Sequence, residues 1–513
     1  MTIHLHSECG LQKLQAVPGE NLLAALQRAG AAVSAPCGGR GTCGKCTVYL
    51  QTEAGWTAAL ACQTPVQEGM TVRLPVAGPL AVESGGIGAA AVPADPGLSG
   101  YGVACDIGTT TVVCHLVDLA TGQILETEGE GNAQRPYGDD VITRIRASMD
   151  GQRPALTSAI RGQLARMVED LCARAGIPAA ELSRMAVAAN TTMCHLLTGL
   201  APDSLGLAPF TPLSRFGGCV PARGLELPFD GEVYIAPAVA GYVGGDITAD
   251  LLAAELDRTD QPVLLLDIGT NGEMAIGCGT RFICCATAAG PTFEGAQIRC
   301  GMTAAPGAVS AVEWRDAAPV CSVIGGGGAV GLCGSGLIDA MALLLSLGVV
   351  DETGRMLDPE ENEEIPTEAA PYLFTLDGAP AFRLTEQVCV TQADVRRLQL
   401  AKGAIAAGVQ VLIDAYGARM SGVSALLLAG GFGSYIRPAS AARIGLIPEE
   451  LLPVTRSIGN AAAQGARAAL VSVGARERLD RLQANMEYLE LSGLAAFNEA
   501  YIDAMMFPEV DEP

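Results

Sequence analysis

The chain has 513 residues, too many for one ordinary core, so two to four domains are expected, each able to bury a full interior. Apolar residues make up 49% and aromatic residues only 4%, an Ala, Leu, Val and Gly profile that suits α/β architecture rather than disorder. The formal net charge of -23 argues against nucleic acid as a partner, because that affinity comes mainly from Lys and Arg neutralising phosphates. A single nucleotide held by backbone amides and a metal ion escapes that argument.

The N-terminus "MTIHLHSECG" lacks a basic start followed by a long apolar run, so no signal peptide is expected and the chain reads as cytoplasmic. "ENLLAALQRAGAAVSAPC" places apolar residues at helical spacing with Gly30 as a stop, and predicts a short helix leading into a glycine-rich loop. That loop, "PCGGRGTCGKCTVYL" from Pro36, holds Cys37, Cys43 and Cys46, and a fourth thiol follows at Cys62. Four thiols satisfy an Fe-S cluster, and Gly38, Gly39, Gly41 and Gly44 let backbone amides approach its sulfides. Zinc also takes four thiols, but zinc ribbons usually present two knuckles of two cysteines, whereas here three sit in one loop and the fourth stands alone. "KCTVYL" and "MTVRLPV" alternate like strands and complete a β-grasp outline. The stretch resembles plant-type and vertebrate-type 2Fe-2S ferredoxins, with one residue more in the first gap than the plant spacing and a shorter last gap. The other thirteen of the 17 cysteines read as small buried hydrophobes in a reduced cytosol.

Residues 78–100 are Gly, Ala and Pro with little periodicity and predict a flexible linker. About twenty such residues span roughly 25 Å r.m.s.. Beyond it two stretches match at an offset of 161: "VACDIGTTTVVCHLVDLATG" from Val103 and "LLLDIGTNGEMAIGCGT" from Leu264. Each reads as strand, turn, strand. The turns offer backbone N–H groups and hydroxyls to phosphate, and an Asp at the strand end can hold Mg²⁺ directly or through water. Asp106 and Asp267 are expected to face each other across a cleft, with Gly108, Thr109, Thr110, Gly269, Thr270 and Asn271 around the phosphates. "ALLLAGGFGSYI" from Ala425 is an apolar strand ending in Gly430, Gly431 and Gly433, where a base or ribose can lie on bare backbone. The ordered set of three resembles the acetate and sugar kinase, heat-shock protein and actin superfamily (ASKHA). That resemblance implies a duplicated, two-lobed RNase-H-like α/β domain with an ATP site, its halves joined by helices after Asn190 and Gly331.

Between these motifs the signals are weaker. Asp246, in "PAVAGYVGGDITADLL", and Glu294, in "AAGPTFEGAQIRCGM", are candidates for ordering water or metal, and a first-turn acid explains either as well. His115 and His195 lie in apolar strings and read as packed. "GLCGSGLIDAMALLLSLGVV", residues 331–350, is the nearest approach to a membrane span, but Asp339 and its glycines suit a buried helix, so no membrane is expected. The tail from Asn485 alternates apolar and acidic residues and predicts a helix, covering the core in preference to docking a partner through an amphipathic face.

The expected domains are therefore residues 1–77, a β-grasp ferredoxin unit; 78–100, a linker; and 101–255 and 256–513, the two ASKHA halves. An Fe-S module beside a nucleotide-driven module suggests ATP-driven electron transfer, since each 59 mV uphill costs a one-electron step about a factor of ten. The whole chain resembles the reductive activators of corrinoid proteins, which carry "CGGRGTCGKC", two "DIGT" loops, "AAGPTFEGA", "GLCGSGLIDA" and "LLAGGFGSYI" in this order. The resemblance implies reduction of a Co(II) corrinoid protein to Co(I) for a methyltransferase, with an upstream electron donor, a homodimer being compatible. It implies that Cys37, Cys43, Cys46 and Cys62 hold the cluster and that the loops around Asp106, Asp267 and Gly431 take ATP. Three other readings stay open: a donor to another low-potential metalloenzyme, a redox-regulated small-molecule kinase, and a non-catalytic partner-binding module.

Overall fold

Period-two alternation in the first seventy residues folds into a small mixed sheet. In the computed structural model, which describes residues 1–7, 10–29, 31, 33, 35, 39, 41, 46–52, 55–74, 93–360, 365–433 and 435–509, this sheet has the order Gly10–Gln15, Thr2–Ser7, Thr71–Arg73, Thr47–Thr52, Gly55–Leu60. Thr2–Ser7 and Thr71–Arg73 run parallel, and the other pairs antiparallel. The expected helix is Leu22–Arg28; the Asn21 side chain accepts from Ala24 N at 2.9 Å, and Leu22, Leu23, Ala25 and Leu26 enter the core with Ile3, Val48 and Val72. An N-cap bond of this kind contributes about 1 kcal/mol. The β-grasp outline and both expected strands are present.

Of the stretch read as a linker, residues 78–92 lie outside the described residues, and 93–100 are held by the lobe that follows. Ser472 Oγ and Val473 N donate to the Asp95 carboxylate at 3.0 and 2.6 Å, and Asp95 N donates to Val471 O at 2.9 Å. Ala94 and Leu98 pack on the core there. The flexible linker expected over 78–100 is therefore corrected for its last residues, since Asp95 and Leu98 are anchored on the lobe.

Two six-stranded sheets form the frame of the two halves, and two three-stranded sheets, one built on Ala308–Arg315 and one on Ala379–Arg383, are added in the second. In the first, the meander Tyr101–Ile107, Thr111–Asp118, Ile124–Gly131 is continued by Leu182–Ala189 and Glu232–Ile235, both parallel to the leading strand, and edged by Gly218–Pro221. In the second, the meander Val263–Ile268, Gly272–Cys278, Arg281–Thr287 is continued by Ala425–Ala429 and Thr455–Gly459, again parallel. The strand order repeats, as the matching DIGT stretches predict. The tail differs from its expectation: Met486–Tyr488 is a strand added parallel to Arg281–Thr287, and only Ala495–Ala504 is helical. Its alternating residues cover a sheet edge, a period-two task.

The helices joining the halves are also not those expected. Thr191–Thr198 packs inside the first lobe and Gly334–Ser346 inside the second. The joint is made by Gly245–Ala253 and Ala461–Val471, whose residues share one core with strands of both sheets. Their backbones nearly touch: a Cβ on Gly465 would lie 2.2 Å from Ala249 O, so only glycine fits. Gln392–Tyr416 is the described helix long and apolar enough to cross a bilayer, and 72% of its apolar window is buried within the protein, as in a core helix of a globular fold. His115 and His195 are packed as read. His195 Nδ1 lies 2.7 Å from Thr191 O and its Nε2 accepts from Leu213 N at 3.1 Å, so the ring is the neutral Nδ1–H tautomer.

Candidate functional site

The two DIGT turns meet at the bottom of a cleft. In the first, Gly108 N donates to Thr111 O at 2.9 Å; in the second, Gly269 N donates to Asn271 O at 2.9 Å, so the two turns close alike. A cavity of about 220 Å³ lies between them, lined by Asp106, Gly108, Thr109 and Thr110 of one half and Asp267, Gly269, Thr270 and Asn271 of the other. Asp246, Gly430, Gly431 and Asn460 also line it, as do Asn190, Glu273, Glu294 and Ser335. The predicted Asp106, Gly108, Thr109, Thr110, Asp246, Asp267, Gly269, Thr270, Asn271, Gly430 and Gly431 all line the cavity; Gly433 does not, and Asn460 and Ser335 were missed.

Gly430 has φ of +85°, and a Cβ there would sit 2.2 Å from Asp267 Oδ1. Gly430→Ala is therefore expected to destabilise the fold by about 1–3 kcal/mol and displace the Asp267 carboxylate, lowering nucleotide affinity. Gly431→Ala, with nothing within 4 Å of the added carbon, should melt like the parent; thermal denaturation of the pair checks this.

The cleft is acidic beyond what its motifs announce. Burial pushes Asp106 up to about 7, with the Asp246 charge adding to the effect and the 2.9 Å bond from Asn460 Nδ2 opposing it. Burial raises Asp246, Asp267, Asp250 and Glu273 as well, and for the last three the neighbouring carboxylates push further. Both carboxylate oxygens of Asp250 are buried without a hydrogen-bond partner among the described residues. Unpaired buried charge of one sign is costly, and a bound cation relieves it. Among the described residues no three His, Cys, Asp or Glu side chains converge for direct ligation. That donor set fits Mg²⁺, which dehydrates reluctantly and is commonly held through waters and phosphate oxygens.

Asp250 was missed and Glu273 was read only as the end of the second phosphate loop, yet both left a signal. Glu273 pairs with Asp267 directly across the hairpin, and paired residues share a face. Asp250 follows Asp246 by four residues on the helix Gly245–Ala253, the spacing that stacks side chains on one face. Arg144, fully buried behind the first turn, gave none. Its guanidinium donates to Gly138 O at 2.8 Å and to Thr109 O, holding the turn from beneath.

In the ferredoxin-like unit Cys46 and Cys62 are buried with their sulfurs 3.2 Å apart, and Cys62 N donates to Cys46 Sγ at 3.4 Å. Cys37 and Cys43 lie outside the described residues. Gly39 and Gly41 have φ of +81° and +77°, and a Cβ on either would meet Leu23 Cδ2 at 3.1 Å or Gln63 Nε2 at 2.6 Å. Two converging thiols beside two glycines in the left-handed region are compatible with two of the four ligands that an Fe-S cluster takes.

Three family models match successive parts of the chain. Residues 6–67 match a family described as the 2Fe-2S iron-sulfur cluster binding domain, 101–259 the RACo middle region, and 261–513 the C-terminal domain of RACo, the ASKHA domain. The corrinoid activation enzyme RamQ of Eubacterium limosum is 35% identical over 421 residues, covering 79% of this chain and 70% of that protein. A [Co(II) methylated amine-specific corrinoid protein] reductase of Methanosarcina barkeri is 26% identical over 443 residues, 78% of this chain and 76% of that one. Among solved structures, a reductive activator for corrinoid, iron-sulfur protein superposes with a TM-score of 0.73 at 28% identity, covering 99% of both chains.

Proposed function

Because this chain belongs to the family of reductive activators of corrinoid proteins, a 2Fe-2S ferredoxin domain joined to an ASKHA domain, we propose that it uses ATP to drive an electron from its own cluster onto the Co(II) corrinoid of a partner protein, restoring Co(I) for a cytoplasmic methyl-transfer system. The observation that carries this reading is the cavity where both DIGT turns and Gly430 surround mutually repelling buried acids.

In this reading residues 1–77 form the electron-carrying unit, 78–100 connect it, and 101–255 and 256–513 are the two lobes. The cluster, when bound, supplies storage for a single electron, refilled by an upstream donor. Cys37, Cys43, Cys46 and Cys62 hold it. The turns Gly108–Thr110 and Gly269–Asn271 seat the phosphates, Gly430 and Gly431 lie along the adenosine, and Asp106, Asp246 and Asp267 face Mg²⁺ through water. Asp246 starts the helix Gly245–Ala253 and Asn460 caps the helix Ala461–Val471. Both helices of the joint thus begin at the cleft. Neutralising Asp246 at one helix start, and Asp106, to which the Asn460 amide at the other donates, changes the force between the lobes, which is how occupancy can alter the surface offered to the partner. ATP raises the extent of reduction only by favouring a state with an easier acceptor or no return path.

The test mixes reduced protein, ATP and a Co(II) corrinoid protein and follows the Co(II) absorbance. ATP should increase the extent of its loss. An identical extent without ATP would make the reading wrong.

A further inference from the structure

Thr110 and Thr270 belong to turns in different lobes, yet both hydroxyls end on one side chain. Thr110 Oγ1 donates to Glu294 Oε2 at 2.6 Å, and Thr270 Oγ1 donates to Glu294 Oε1 at 2.8 Å. A hydroxyl has one proton and two lone pairs, and a carboxylate only accepts. Burial raises the Glu294 carboxyl and the two threonine hydroxyls oppose that; in the carboxylate form both protons are committed to it, and each threonine turns lone pairs to the cavity it lines. Lone pairs suit a cation or its water shell and repel a phosphate oxygen.

Thr109 has the opposite polarity. Its Oγ1 accepts from Asn190 Nδ2 at 3.0 Å, and that amide is fixed because Asn190 Oδ1 accepts from Met193 N at 2.9 Å. Thr109 keeps its own proton and can give it to phosphate. Adjacent threonines in one turn are therefore set for different ligands, by different partners.

We propose that Glu294 is a positioning residue that holds Thr110 and Thr270 as acceptors on the metal side of the nucleotide, and so makes nucleotide binding depend on a divalent cation. This rests on the ATP reading above and departs from the expectation that all the turn side chains contact phosphate. It also gives Glu294, earlier a candidate for touching water or metal itself, an indirect role through two hydroxyls from opposite lobes.

The experiment measures ATP affinity of the full chain by calorimetry, with Mg²⁺ and with a chelator, for the parent, Glu294→Gln and Glu294→Ala. A glutamine offers one acceptor and two donors, so at least one threonine must reverse and present its proton to the cavity. Both variants should lose about tenfold of the tightening that Mg²⁺ gives, with affinity in chelator unchanged or improved. If Glu294→Ala does not fold, the near-isosteric Glu294→Gln carries the test. Parent-like Mg²⁺ dependence in the variants overturns the inference, as does an equal loss with and without Mg²⁺, which marks a merely structural residue. A parent protein that binds no ATP at all fails the nucleotide reading itself, a distinct result.

Discussion

Asp267→Asn should abolish the ATP-dependent part of corrinoid reduction while leaving the visible spectrum of the cluster intact, and Asp106→Asn should do nearly the same. Carboxylates that hold a metal through its waters typically contribute about 10- to 100-fold in metal affinity, and the two aspartates face the same cavity, so each loss falls on the same ion. The nucleotide-free protein should respond in the opposite direction. The Asp106 carboxyl titrates near 7 in the fold against 3.8 ordinarily, so between those values the native state binds more protons than the unfolded chain. Stability then falls as pH rises through that window and levels off above it. Asp267, raised by burial and by the charges of Asp246 and Asp106, adds to the same slope. An asparagine carries no charge to repel its neighbours. Either variant should therefore melt higher than the parent at about pH 8 without nucleotide, and the advantage should vanish by about pH 4, where the parent's carboxyl is protonated. Mg²⁺ and ATP should raise the parent's midpoint at high pH and leave the variants' where it was. Scanning calorimetry across pH reads all of this; variants less stable than the parent at pH 8 would show that these acids are not under mutual strain.

The duplication could be read from the chain because each half writes its own strand–turn–strand with an Asp at the turn, and hairpins that begin alike continue alike: both meanders accept two further parallel strands in the same order. The cluster loop was legible for a related reason, since cysteine spacing and glycine density act over a few residues. What escaped was tertiary. The joint between lobes rests on the backbone approach of Gly465 to Ala249, and the Ala-rich helix that makes it has too little side chain to show a face. Glu273 and Asp250 were hidden because an isolated acid looks like solvent-facing charge until the opposing strand or the preceding helical turn is known to be buried. The tail misled because alternation with acids suits an edge strand as well as a helix end, and here the sheet had an edge left to cover at Arg281–Thr287. Glu294 was noticed, but no pattern within its own segment tells that its partners are hydroxyls 184 and 24 residues away.

Cys62→Ser or Cys46→Ser should cost the protein its iron, its visible absorbance and all electron delivery, with ATP binding in the cleft unchanged. The thiolate is the ligand that an Fe-S centre needs, and the two sulfurs converge to 3.2 Å beside the glycine loop, so neither has a substitute at hand. Proximity of sulfurs alone is not the cause, and the protein contains its own control. Cys105 and Cys114 face each other across adjacent strands with sulfurs 3.0 Å apart, also fully buried. Yet they are packed among the apolar residues of the first lobe's core, and burial pushes the Cys105 thiol well up, which disfavours the thiolate. Cys114→Ala should lower stability by about 1 kcal/mol, an ordinary core substitution, and leave iron content, spectrum and reduction as in the parent. Metal analysis and absorbance of the three variants, prepared without oxygen, separate a ligand pair from a packing pair. Iron retained in full by Cys62→Ser would remove that residue from the ligand set and return the fourth position to a cysteine elsewhere in the chain.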